Sequence, residues 1–230
     1  MNKRISIYRI SILTNSYKSI SLMNAIYMAT KKIIIAIFIL LPSPVLSQKE
    51  IVSGIYDGLN LAFDKNSKLV TGYFENSTDW DDESENTTFN CSFYFIGSLT
   101  TTPIEIKTFH PLHGEGDTIL GTLQVMDSKK ISIKLNNEHG GCWNVQHFAV
   151  QPVEFILVEP KRWIQIRFVK DEKIYFYSTE SEAYKLNSFL LKGDIVYIDK
   201  IDKEWAFGSY FGKIITKGWL KVSEINEYKK

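Results

Sequence analysis

The sequence predicts an all-β protein, an N-terminal β-sandwich or small barrel followed by a second small β-barrel. Three observations lead there. Aromatic residues make up 13% of the 230 positions, and Tyr, Phe, Ile and Val recur in short alternating runs that suit half-buried strands. Gly, Asn and Asp signals separate those runs at short intervals, the spacing of a sandwich or barrel. No stretch of about ten residues keeps a helical period.

Residues 1–47 stand apart from this pattern. They carry six Lys or Arg and no acid. Lys31-Lys32 precede an unbroken apolar run over 33–41, and Pro42 and Pro44 then end any helix before Val45-Leu46-Ser47. That order is the layout of a secretory signal cleaved ahead of Gln48. The run is too short to span a bilayer, so no membrane span is expected after cleavage. Translation is expected to start at Met28. The mature chain is then periplasmic or secreted.

Charge narrows the partners. Residues 48–160 hold seven basic and sixteen acidic side chains, a net −9, whereas residues 161–230 hold fourteen and ten, a net +4. Gripping nucleic acid needs a concentrated basic face, so nucleic acid is excluded as a partner. An acidic body suits a basic protein. Export also decides the fate of the two cysteines. In an oxidising compartment Cys91 and Cys142 are expected to pair, closing a loop worth about 4 kcal/mol in the chain-entropy model.

The elements follow in order. Glycines at 54 and 58 mark a turn, residues 69–74 a strand, and residues 75–88 a polar loop containing Asp79, Asp81, Asp82, Glu83 and Glu85. Residues 89–97 form the clearest strand, with Phe89, Cys91, Phe93 and Phe95 on one face and Asn90, Ser92 and Tyr94 on the other. Further strands are expected over 103–109, 119–126, 130–135 and 153–158. Pro160 and the change of charge sign place a boundary there, giving domains 48–160 and 161–230. The second domain should hold strands at 163–169, 173–178, 188–191, 195–201, 205–210 and 218–222, with Trp205 and Trp219 as core anchors.

Residues 191–197 (Leu-Lys-Gly-Asp-Ile-Val-Tyr), Glu204-Trp205-Ala206-Phe207 and 217–221 (Lys-Gly-Trp-Leu-Lys) resemble a bacterial SH3-like domain. The family shows a "KGD" turn, an aromatic opening the next strand, and a "GW" strand before a short closing turn, a place filled here by 222–225. The resemblance covers roughly the last 60 residues and implies an SH3-like barrel with a cell-envelope ligand, peptidoglycan among them. It departs at the family's opening segment, replaced here by 174–180 (Ile-Tyr-Phe-Tyr-Ser-Thr-Glu), so a groove would have a changed lining.

Several motifs could carry chemistry. Gly141-Cys142-Trp143 is similar to the nucleophile region of papain-like proteases, with His139 or His147 as base. Its neighbours make no long helix to activate the thiolate, and a disulfide at Cys142 would remove it. His110, His113, His139 and Cys142 have ligand spacing for zinc, but that use would strand Cys91, so no metal or other cofactor is expected. The acidic loop lacks the spacing of a calcium site. Asn76, Asn86 and Asn90 head N-x-S/T triplets, which matter only in a glycosylating host. Among Tyr175, Tyr177, Trp205, Tyr210, Phe211 and Trp219, core filling is the default and sugar stacking or peptide clasping the alternative.

The expected function is that of an exported, non-catalytic binding protein of the bacterial cell envelope, in its most concrete form an immunity or inhibitor protein against a cell-wall-degrading enzyme. The five loop acids, with Trp205 and Tyr210, are the expected partner-binding residues. The alternatives are a cell-wall hydrolase using Cys142 with His139 or His147, and a scaffold for envelope assembly.

Overall fold

The computed structural model describes residues 51–81 and 86–226; the expected signal region 1–47 lies outside them. Eight antiparallel strands close a barrel in chain order: β1 (Gly54–Tyr56), β2 (Leu59–Asp64), β3 (Leu69–Asp81), β4 (Asn86–Ser98), β5 (Ile104–Phe109), β6 (Ile119–Val125), β7 (Lys130–Leu135) and β8 (Val153–Pro160). Strand β1 pairs with both β2 and β8, which completes the ring. Of the two architectures open to the N-terminal segment, the barrel is the one formed.

Alternation decides what fills it. Leu59, Leu61, Phe74, Phe93, Phe95, Leu123, Ile133 and Phe155 point inward and are buried in one cluster. Eight strands leave an interior that side chains can fill completely. Phe74 meets the rings of Phe93 and Phe148 at 5.3 and 4.9 Å. Gly72 lies opposite Phe95, and a Cβ there would run into the Phe95 ring. The smallest residue faces one of the largest because the lumen has no more room.

Two expectations for this region change. The glycines at 54 and 58 bound a hairpin, not merely a turn: Tyr56 pairs with Leu59 across Asp57-Gly58, so both β1 and β2 are strands. The polar stretch 75–88 is largely strand as well. Its ladder runs from Glu75–Ser92 through Asn76–Cys91 and Ser77–Asn90 to Asp81–Asn86. Backbone pairing, once seeded by the apolar register below, continues without needing apolar side chains. β2 ends opposite Phe74 and β5 pairs only with residues 94–97, so beyond those points β3 and β4 pair with each other alone. The result is a two-stranded arm extending past the barrel rim. At its base Cys91 is disulfide-bonded to Cys142, 51 residues further on.

The C-terminal segment forms a six-stranded antiparallel sheet from β9 (Gln165–Phe168), β10 (Lys173–Tyr177), β11 (Lys185–Leu191), β12 (Ile195–Asp202), β13 (Trp205–Phe211) and β14 (Ile215–Lys221). Its strand order is β11-β10-β14-β13-β12-β9. One face encloses a core of Val169, Ile174, Phe176, Leu190, Val196, Ile198, Ala206, Leu220 and Ile225. The other face of β9 and β12 lies on the outer barrel wall, where Trp163, Ile166, Phe168 and Tyr197 bury Ala62, Tyr94 and Phe109. Barrel and sheet belong to one compact unit.

Hydrogen bonds run through this seam. The Tyr94 hydroxyl donates to Ile166 O at 3.1 Å, and Ile166 N donates to Thr71 Oγ1 at 2.7 Å. Asn60 Nδ2 donates to Tyr197 Oη at 2.8 Å, and Gln165 Nε2 to Asp64 Oδ2 at 3.1 Å. Burial opposes ionisation of Asp64, but hydrogen bonds from Ser67, Asn66 and Gln165 outweigh it and hold the carboxyl below its ordinary pKa. Burial pushes the Tyr94 and Tyr197 phenols upward, so both remain neutral.

Replacing Cys91 and Cys142 together by Ala removes the cross-link across a 51-residue separation. Urea unfolding should report a loss of about 4 kcal/mol relative to the oxidised parent. A loss below about 1 kcal/mol would mean the link adds little to barrel stability.

Candidate binding surfaces

Cys142 starts a short 3-10 turn over Cys142–Asn144, set against β4 by the disulfide. Gly141 before it adopts φ 84°, and a Cβ there would strike the backbone oxygen of Asn90. Only glycine lets the turn come this close to the arm. Glu138 accepts from Ala149 N at 2.7 Å and Phe148 N at 3.3 Å, while Phe148 is sunk in the barrel core. The loop is therefore pinned at three places, yet Trp143 is 60% exposed, with His147 edge-on at 5.1 Å.

The catalytic constellation suggested by Gly141-Cys142-Trp143 is not assembled. Cys142 is fully buried and its sulfur is bonded to Cys91. His139 stacks on Phe93 at 5.1 Å, with its Nε2 2.7 Å from Thr108 Oγ1. The Thr108 hydroxyl donates to Ile119 O, which leaves its oxygen to accept the Nε2–H of a neutral His139. Burial first, and the proximity of His110 second, lower the His139 pKa. His110 and His113 lie 5.0 Å apart, and His113 Nδ1 meets Asp117 Oδ2 at 2.9 Å. Among the described residues no three His, Cys, Asp or Glu side chains come together as a metal site.

The C-terminal sheet brings together a surface that no single stretch of sequence displays. Lys200 pairs with Phe207, Phe207 with Trp219 and Trp219 with Tyr177, a row crossing β12, β13, β14 and β10. Tyr175 then pairs with Phe189 on β11. Trp205 joins the row by an edge contact to Tyr177 at 5.0 Å, and Phe207 meets Trp219 at 5.3 Å. Lysines lie over these rings. Lys185 Nζ is 3.7 Å from the Tyr175 centroid, Lys173 3.9 Å from Phe189, and Lys200 5.2 Å from Trp219. Each such contact contributes on the order of 0.5–1 kcal/mol at an exposed site.

This face corrects the expectation that Trp205 and Trp219 anchor the core. Both are half-buried on the side away from it, because Ala206, Gly208, Gly218 and Leu220 take the inward positions of β13 and β14. Trp205 thus sits on an open face. Tyr210 does not share it: the ring packs towards the core and its hydroxyl lies 3.5 Å from Asp194 Oδ1. Phe211 lies against Tyr197 and Trp163 near the seam. The rings missed by sequence reasoning are Phe189 and Phe207; alternation of Phe207 with Ala206 and Gly208 was the available signal.

The five acids divide differently. Asp79 and Asp81 fall in the outer part of β3, on the arm, while Asp82, Glu83 and Glu85 lie outside the described residues. No family model, curated protein or solved structure matches the chain.

Two measurements check this description. Leu220→Ala should cost roughly 2–5 kcal/mol as a core truncation, and Trp219→Ala clearly less; the reverse order would place Trp219 in the core after all. Because His139 and His110 have lowered pKa values in the folded chain, stability should be full above the ordinary value near 6.5. It should fall as pH drops from about 7 towards 5, since the unfolded chain then binds more protons. His139→Gln should flatten that fall, and an unchanged slope would contradict the buried neutral imidazole.

Proposed function

We propose that the chain is an exported, non-catalytic binding protein of the bacterial cell envelope, acting in the periplasm or outside the cell, and that its arm captures a basic protein. The arm carries this reading. Five acids of a segment with a net −9 cluster within positions 79–85 of the sequence, and two of them, Asp79 and Asp81, fall in the outer part of β3, where it pairs with β4 alone. Acids carried on such an arm meet a partner early, which raises the association rate for a basic surface. Trp143, exposed on a loop pinned at the arm's base, supplies the rigid aromatic anchor that binding hot spots favour.

An immunity or inhibitor protein that blocks a basic cell-wall-degrading enzyme is the concrete form of this proposal. The C-terminal sheet would act as an accessory envelope contact. Supporting its SH3-like reading, the Lys192-Gly193-Asp194 turn leads into β12, Trp205 opens β13 and Gly218-Trp219 lies in β14. The hydrolase alternative loses its nucleophile to the Cys91–Cys142 disulfide.

The test is binding to a panel of basic cell-wall hydrolases, lysozyme among them, with association rates measured at two salt concentrations. Changing Asp79, Asp81 and Asp82 to Asn and Glu83 and Glu85 to Gln should slow association roughly tenfold or more at low salt without altering the unfolding midpoint. The gap should narrow as salt rises. Association equally fast in parent and variant would remove the arm from the interface.

A further inference from the structure

The geometry points to a second binding site: the aromatic and lysine face of the C-terminal sheet takes an acidic polysaccharide, a chain of pyranose rings bearing carboxylates. The face spans five adjacent strands, about 19 Å at the usual strand spacing. It presents Tyr175, Phe189, Trp205, Phe207 and Trp219, joined through the buried Tyr177 ring beneath Trp205 and beside Trp219. The axial C–H groups of a pyranose carry partial positive charge and pack on the negative face of an aromatic ring. Rings repeated across neighbouring strands offer such contacts to successive sugars.

Charge sets the class of sugar. Lys221 is bound to Glu182 at 2.6 Å, and Lys200 lies within 4 Å of both Asp202 and Glu180. Lys173 and Lys185 lie over the patch, and among the described residues neither has a carboxylate at ion-pair distance. These two ammonium groups, seated over Tyr175 and Phe189 with no carboxylate partner among the described residues, complement carboxylates spaced along a sugar chain. Nucleic acid fits less well, because its dense phosphates need a concentrated basic face and residues 48–160 carry a net −9. An extended peptide fits less well too, because peptides add to open sheet edges. Here β10, β14 and β13, which carry most of the rings, are each paired on both sides, and only β11 at the rim of the face has an open edge.

The experiment uses the full exported chain with polygalacturonate as probe, dextran as the neutral polymer and single-stranded oligothymidylate as the polyphosphate. Polygalacturonate should bind, and more weakly as salt rises. The exposed pair Lys173→Gln and Lys185→Gln should weaken binding about tenfold, the loss expected of two charge-assisted contacts, with the unfolding midpoint lowered only by the small amount that two lost cation–π contacts allow. Trp219→Ala should abolish binding and Trp219→Phe restore part of it. The site assignment is overturned by no binding to polygalacturonate, by equal binding to dextran, by tighter binding to oligothymidylate, or by a lysine double variant that binds like the parent. Lysozyme binding through the arm is unaffected by any of these variants, so the two sites fail or succeed separately.

Discussion

Tyr94 is the residue on which the arrangement depends. It sits on β4 between Phe93 and Phe95, which point into the barrel, so alternation turns its ring outward to the wall. There the ring is completely buried against Phe109 and Phe168. Its hydroxyl donates to Ile166 O and accepts from Asn226 Nδ2 at 3.4 Å. A buried phenol stripped of those partners would be costly. One side chain thus ties barrel, sheet and Asn226 together, and Thr71, Asn60 and Gln165 extend the tie along the seam.

That seam settles which surfaces remain for partners. The barrel, closed on itself, exposes no strand edge along its wall. The sheet spends one face on its own core and part of the other on the barrel, which leaves the outer side of β13, β14, β10 and β11 open. The arm is the other projection. The aromatic and lysine face stands on strands, where packing fixes side-chain direction more firmly than a free loop would, and a fixed surface loses little entropy on binding.

The sequence showed the fold where alternation was strong and hid it where backbone pairing did the ordering. The strand through Phe93 and Phe95 was legible because its inward and outward residues differ sharply. Strand β1, only Gly54–Tyr56, is too short to show a period, and its glycines looked like a turn alone. The outer halves of β3 and β4 are polar, so nothing in their composition announced a ladder. The cysteine pairing was readable from an even count in a chain expected to be exported. Trp205 and Trp219 misled because size suggested a core, whereas β13 and β14 turn small residues and Leu220 inward. The lysine and aromatic face was invisible beforehand, since it joins β10 to β14, about forty positions apart, and only register reveals it.

The claim beneath both proposed binding surfaces is that barrel and sheet form one rigid body through the Tyr94 seam. Scanning calorimetry of the oxidised chain tests it most directly. The account predicts a single transition whose calorimetric and van't Hoff enthalpies agree. Two separable transitions, one unchanged by Tyr94→Phe and by truncation at the seam, would contradict it.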